Sequence, residues 1–185
     1  ELVGVSESPE PYQIRRSNVF TLVSLLKKLN IQVETAHILD DKTVLQNKVE
    51  TFLNDFDVLI FSGAVSKGKF DFIPEVLNNL GVEKLFHKVK QRPGKPFWFG
   101  KKGSKVVFAF PGNPVSTFVS CLKYFYPWYQ KSMNINFENK QQAILAENYF
   151  FKPELTYFLQ VKLHQINGQL FATPITGKGS GDLAN

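Results

Sequence analysis

Three short stretches of this chain bring small, hydroxyl-bearing and cationic residues together. The first is Ser62-Gly63-Ala64-Val65-Ser66-Lys67-Gly68-Lys69-Phe70-Asp71. It follows the apolar run Asp57-Val58-Leu59-Ile60-Phe61, the pattern of a buried central strand of a parallel sheet, and it leads into a helical repeat. Small residues let backbone N–H groups approach an anion, and a helix N-terminus behind them adds positive potential. The hydroxyls of Ser62 and Ser66 can donate as well. The spacing and the Lys-Ser/Thr ending of a Walker A loop are missing. A plain strand-to-helix turn explains the same residues, since glycine punctuates chains of every function.

The second stretch is Arg92-Pro93-Gly94-Lys95-Pro96, with Lys88 and Lys90 upstream. Cations around a rigid Pro-Gly turn can clamp phosphates. A basic hairpin edge, which keeps strands from aggregating, accounts for them equally. The third is Pro111-Gly112-Asn113-Pro114-Val115-Ser116, where an apolar strand runs into a helix with proline in its first turn. That is helix-start chemistry, and it also presents N–H groups to an anion. Asp71 directly precedes the third expected helix, so it reads either as an N-cap or as a carboxylate that binds Mg²⁺ or positions a metal oxyanion. Asp40 and Asp41 carry the same two readings. His37, His87 and His164 share no metal-ligand spacing, and Cys121 sits among apolar neighbours as a core thiol.

The elements that would position these loops alternate between strand and helix. Ser17 or Asn18 can cap a helix to about Asn30, in which Phe20, Val23, Leu26 and Leu29 recur at helical spacing. Residues 31–39 read as a strand, followed by a helix to about Asn54. After the strand at 57–61 come a helix over 72–80, strands at 85–89, 96–99 and 106–110, and a long helix over 114–131. The expected architecture is a three-layer α/β/α domain with a mostly parallel sheet over residues 1–133. Residues 134–185 change texture. Strands are expected at 143–151, 156–166 and 169–173, with Asn167-Gly168 as a hairpin turn, in an incomplete β-barrel-like domain. In open α/β sheets, ligands lie beyond the carboxyl ends of the strands, where all three loops fall.

Composition sets limits. Of 185 residues, 43% are hydrophobic and 21% charged, which fits a folded chain and excludes a disordered one. The net charge of +6 suits anionic partners, but the basic residues are scattered and carry no nucleic-acid-binding signature. No apolar run reaches membrane-spanning length and no signal peptide is evident, and a single cysteine favours a reducing compartment, so a cytoplasmic protein is expected. The chain starts at Glu1 without methionine and reads as part of a longer protein.

Taken in order, the three stretches resemble one family, the molybdopterin molybdenumtransferases, meaning bacterial MoeA and the gephyrin E domain. Its pattern is roughly Ser-Gly-Gly-Val-Ser-x-Gly-x-x-Asp, then Lys-Pro-Gly-Lys-Pro, then Pro-Gly-Asn-Pro-Val-Ser. The likeness extends from Glu1 to about Lys131, with a weaker one at Gly177-Lys178-Gly179-Ser180-Gly181. Ala64 stands where the family has its second glycine, Lys67 where a small or apolar residue is usual, and Arg92 where lysine is usual. Alanine matters there if the backbone needs φ > 0.

The resemblance implies a MogA-like α/β domain and an enzyme that inserts molybdenum from molybdate into adenylylated molybdopterin and releases AMP with help from Mg²⁺. It implies Asp41 and Asp71 as catalytic or metal-binding carboxylates. Lys88, Arg92 and Lys95 would hold phosphate or oxyanion. Ser62, Gly63, Ser66, Gly68, Pro93, Gly94, Pro111, Gly112, Asn113, Pro114 and Ser116 would seat the pterin phosphate. The full-length protein is expected to be a homodimer whose active site borrows residues from the partner subunit, with no nucleic acid or membrane partner. Two alternatives stay open. One is the related molybdopterin adenylyltransferase, whose family carries a Gly-Gly-Thr-Gly loop and lacks a β-tail. The other is a non-catalytic molybdopterin-binding or scaffold module.

Overall fold

The computed structural model describes residues 2–39, 41–66, 68, 71–135 and 141–175. Two short strands, β1 (Leu2–Val3) and β2 (Ile14–Arg15), pair in parallel at the start. Helix α1 (Asn18–Lys27) buries Leu22, Leu25 and Leu26, and helix α2 (Lys42–Asp55) buries Leu45, Val49 and Leu53. Spacings of three and four residues put each set on one helix face. Strand β3 (Val58–Ser62) follows, then helix α3 (Ile73–Asn79), and Gly81 at φ 73° lets the chain turn away after it.

Strands β4 (Glu83–His87), β6 (Trp98–Lys102) and β7 (Lys105–Phe110) join β3 in one sheet, ordered β3-β7-β6-β4. The short β5 (Gln91–Arg92) lies outside it. Alternation along β7 sets the layers. Val107 and Ala109 pack with Leu59 of β3 against α2 and α3. Phe108 and Phe110 face the opposite way, into a cluster with α1 and the helical segment after residue 113. Helices on both faces of the sheet make three layers, as expected from the sequence. Each fully buried Leu, Val or Phe contributes roughly 1.5–3 kcal/mol.

The sheet is mixed where a mostly parallel one was expected. The β3–β7 pair is parallel, from Val58↔Val106 to Ser62↔Phe110, but β6 pairs antiparallel with both β7 and β4. The cause is local: Gly103 at φ 58° closes a tight β6–β7 hairpin, which forces those strands antiparallel.

The strand expected at 31–39 does not form. Ile31, Val33 and Ile38 pack partly against the two cores, which explains the apolar pattern. A strand also needs a neighbour to pair with its N–H groups, and among the described residues this segment has no ladder partner.

The expected helix over 114–131 is three pieces in line. These are α4 (Pro114–Ser120), a π-helical segment (Cys121–Phe125) and α5 (Tyr126–Ser132). Pro127 explains the interruption. Its ring clashes with the carbonyl four residues back and it offers no N–H, and a widened turn relieves both. The Tyr126 N–H reaches five residues back to the Cys121 carbonyl.

In the tail, β8 (Ile144–Leu145), β10 (Val161–Ile166) and β11 (Gln169–Pro174) form a sheet ordered β10-β11-β8. Asn167 (φ 49°) and Gly168 (φ 82°) form the β10–β11 turn anticipated from the Asn-Gly pair. The strand expected at 143–151 shrinks to two residues, because Tyr149 and Phe151 leave the sheet to pack on Tyr157. The strand expected at 156–166 breaks into β9 (Thr156–Tyr157) and β10, whose partners β5 and β11 lie in different sheets. No described helix is long and apolar enough to cross a membrane.

Candidate functional site

The parallel strands β3 and β7 end side by side, so the loops at 62–71 and 111–116 leave the sheet together. The Gly63 N–H donates to the Phe110 carbonyl at 3.0 Å. A Cβ on Gly112 would lie 3.3 Å from Gly63 Cα, so the two backbones touch where both residues are glycine. Beneath them, the Ser62 hydroxyl lies 3.2 Å from the Thr117 hydroxyl, which donates to the Pro111 carbonyl at 2.6 Å. Asn18 closes the junction: its side-chain amide donates to Ser62 Oγ at 2.8 Å and to the Gly112 carbonyl at 2.7 Å. The sequence offered Asn18 only as a local cap for α1, and its bonds to loops 44 and 94 residues away leave no local signature.

In the first loop Gly63 has φ 100° and Ala64 φ 54°. The second position therefore needs the left-handed region, which an alanine adopts at a cost of about 1–2 kcal/mol. Ala64→Gly is expected to raise stability by about 1 kcal/mol, the gain being trimmed by the extra freedom of glycine in the unfolded chain. A thermal melt should show a rise of about 3 °C. An unchanged or lower midpoint would mean that the turn stores no strain. Among the described residues five non-glycine residues have positive φ, and three of them are asparagines. The other two, Ala64 and Lys88, lie in or beside the candidate loops, and strained backbone clusters at functional sites.

Asp71 does not cap α3. The cap position is Phe72, which makes no side-chain capping bond. Asp71 Oδ2 instead accepts the Gly68 N–H at 2.5 Å and braces its own loop. Asp41 is a true N-cap, accepting the Val44 N–H at 2.8 Å. Lys42 at the start of α2 pairs with Glu75 in the first turn of α3 at 2.6 Å, so the two helix starts that carry Asp41 and Asp71 are neighbours. Each carboxylate keeps a second oxygen. Carboxylate oxygens are the kind of donor that Mg²⁺ takes one or two of, completing its shell with phosphate and water. Among the described residues no group of three or more His, Cys, Asp or Glu side chains that could hold a metal ion occurs.

The second loop leans on the helix of the third. A Cβ on Gly94, at φ 92°, would lie 2.8 Å from Gln91 Nε2 and 3.0 Å from Ser120 Oγ. Gln91 is buried, and its amide donates to the carbonyls of Pro93 (3.1 Å) and Gly94 (3.4 Å), while the Tyr124 hydroxyl donates to its Oε1. His87 Nε2 lies 3.0 Å from the Val65 carbonyl and ties the end of β4 to the first loop. Lys88, Arg92 and Lys95 are exposed, and among the described residues none forms an ion pair. Unneutralised cations raise the local potential for an anion.

Asn113 caps α4, accepting from the Ser116 N–H at 3.1 Å and from the Ser116 hydroxyl at 3.2 Å, with Pro114 in the first turn. Those bonds account for Asn113, Pro114 and Ser116 without a ligand. Ser66 and Gly68 are exposed on the first loop. Asp40, Lys67 and the motif 177–181 lie outside the described residues. Cys121 is fully buried, as its neighbours suggested, and burial pushes its thiol up to about 12. Thiolate is the reactive form, so Cys121 should resist thiol reagents at pH 8 in the folded chain and react fully once unfolded. Labelling at similar rates in both states would contradict this burial.

Glycine loops at the carboxyl ends of the parallel strands β3 and β7 lie where open α/β sheets hold their ligands. Residues 1–131 match the family model described as a probable molybdopterin binding domain, and the chain belongs to that family. A molybdopterin molybdenumtransferase of Synechocystis is 39% identical over 98% of this chain and 45% of its own length. One from Bacillus subtilis is 28% identical over 95% of this chain and 41% of its own. Among solved structures, a molybdopterin biosynthesis MoeA protein from Pyrococcus horikosii superposes with a TM-score of 0.77 at 27% identity, covering 97% of this chain and 44% of that one. The chain spans less than half the length of these relatives.

Proposed function

We propose that the chain is the substrate-holding part of a molybdenum-cofactor enzyme that inserts molybdenum from molybdate into adenylylated molybdopterin and releases AMP. The observation that carries the reading is convergence: the loops at 62–71 and 111–116 share a backbone contact, and the loop at 92–96 packs on the same helix, in a member of this family. Ser62, Gly63, Ser66, Gly68, Pro111, Gly112, Asn113, Pro114 and Ser116 seat the pterin phosphate on this reading. Lys88, Arg92 and Lys95, on the turn shaped by Pro93 and Gly94, meet the charge that grows on phosphate as the phosphoanhydride breaks. Asp71 and Asp41 would hold Mg²⁺ together with substrate oxygens, and the ion would supply further charge neutralisation there. The full-length protein works as a cytoplasmic homodimer on this reading, and the partner subunit completes the site.

The test separates binding from turnover. Residues outside this chain complete the catalytic constellation, and losing part of a preorganised site removes transition-state stabilisation before ground-state binding. The 185-residue chain should therefore bind AMP or molybdopterin weakly in calorimetry and insert no molybdenum in an assay on the same sample. Measurable turnover by the chain alone would refute the divided site. Absence of binding at about millimolar ligand, a Kd that corresponds to only about 4 kcal/mol, would refute the loop assignments.

A further inference from the structure

We infer that Tyr157, in the C-terminal β-segment, is a positioning residue that holds the Arg92 guanidinium in place for an anion. The inference rests on the phosphate-holding reading of the 92–96 turn. Strands β5 and β9 pair in parallel, with Gln91 opposite Thr156 and Arg92 opposite Tyr157. The Thr156 N–H donates to the Lys90 carbonyl and the Phe158 N–H to the Arg92 carbonyl, both at 2.9 Å. Direct partners in a ladder present their side chains on the same face. Accordingly the Arg92 guanidinium carbon lies 5.8 Å from the centre of the Tyr157 ring.

The ring itself is fixed. Phe151 stacks on it at 4.4 Å and 13°, and Tyr149 packs at 5.7 Å. The turn that follows Arg92 is held by the buried Gln91 amide, which donates to the Pro93 and Gly94 carbonyls. A guanidinium over a ring keeps its N–H edge available for phosphate, whereas an ammonium is a compact point charge on a flexible stem. Arg92, where the family pattern has lysine, therefore gains from Tyr157 an orientation that a lysine would not take up. The β-segment thereby becomes part of the site although no residue of it need touch the ligand.

The test titrates AMP into the unmodified chain and its variants by calorimetry. Tyr157→Leu should weaken AMP about fivefold, the size of one cation–π contact, and Tyr157→Phe, which keeps the ring, should stay within about twofold. In an Arg92→Lys background Tyr157→Leu should have no further effect, which a general loss of tail structure would not reproduce. Equal AMP affinity for Tyr157→Leu and the unmodified chain, or the same loss in both backgrounds, would overturn the inference. A ligand-free arm separates this failure from failure of the site reading. Urea midpoints of Arg92→Ala, Tyr157→Leu and the double variant should be non-additive. Additive midpoints would overturn the positioning contact. Coupled midpoints in a chain that binds no AMP would lay the failure on the phosphate reading.

Discussion

On the proposed function, Asp71→Asn in the full-length protein is expected to lower molybdenum insertion by about a hundredfold and leave the fold intact, in line with the loss of one positioned charged group from an active site. Asparagine keeps an oxygen that can accept the Gly68 N–H, so the turn that Asp71 braces survives. Helix α3 does not depend on Asp71 for its cap, so the loss of about 1 kcal/mol typical of a removed N-cap should not appear. What disappears is the negative charge. Insertion from molybdate and adenylylated molybdopterin, with a urea titration on the same variant, reads both quantities. Activity near that of the unmodified enzyme, with a clear fall in stability, would reduce Asp71 to a brace for its own loop.

The largest expected loss of stability comes from the second core cluster. Phe108 is 1% exposed, and its ring meets Phe99 at 4.8 Å, Trp128 at 5.3 Å, Phe125 at 5.5 Å and Phe110 at 6.0 Å. Phe108→Ala deletes one ring from a set that holds β6, β7 and the C-terminal helix together. The cavity cannot close without moving several other rings, so a cost of about 4 kcal/mol is expected. For a chain of this length that lowers the melting midpoint by roughly 8–16 °C. Phe20→Ala, at a position 51% exposed, serves as control and should move it little. A loss below about 1.5 kcal/mol for Phe108→Ala would mean that the neighbouring rings refill the space.

The positions of the three loops were legible in the sequence because each follows or precedes a short apolar run that reads as a strand from its own residues. Val58 to Phe61 and Val106 to Phe110 read as strands, and small residues beyond them read as loops. What stayed hidden depends on contacts between distant residues. Asn18 looks like a local cap until Ser62 and Gly112 are beside it. Residues 31–39 alternate like a strand but have no pairing neighbour among the described residues. Asp71 precedes a helix as a cap would, yet its side chain turns back to Gly68. The strain at Ala64 appeared only as a condition, because its φ of 54° belongs to the path of the folded loop and not to the residue type. The pairing of Arg92 with Tyr157, 65 positions later, had no trace in either segment.

The π-helical turn has a consequence for how the long helix meets its neighbours. A widened turn spends one extra residue on a single revolution, so everything after it is rotated about the axis relative to a straight continuation. The front half, through Val115, Thr117 and Cys121, is buried at the sheet. The rear half buries no residue fully, yet its tyrosines reach sideways: the Tyr126 hydroxyl donates to the Leu25 carbonyl at 2.7 Å and the Tyr129 hydroxyl to the Leu29 carbonyl at 3.4 Å. Leu25 belongs to the last turn of α1, where helical acceptors run out of amide partners, and Leu29 lies just past its C-cap. A segment that scans as one repeat thus carries two phases, the first keyed to the sheet and the second to the frayed end of another helix, and the phase step falls where Pro127 breaks the backbone ladder.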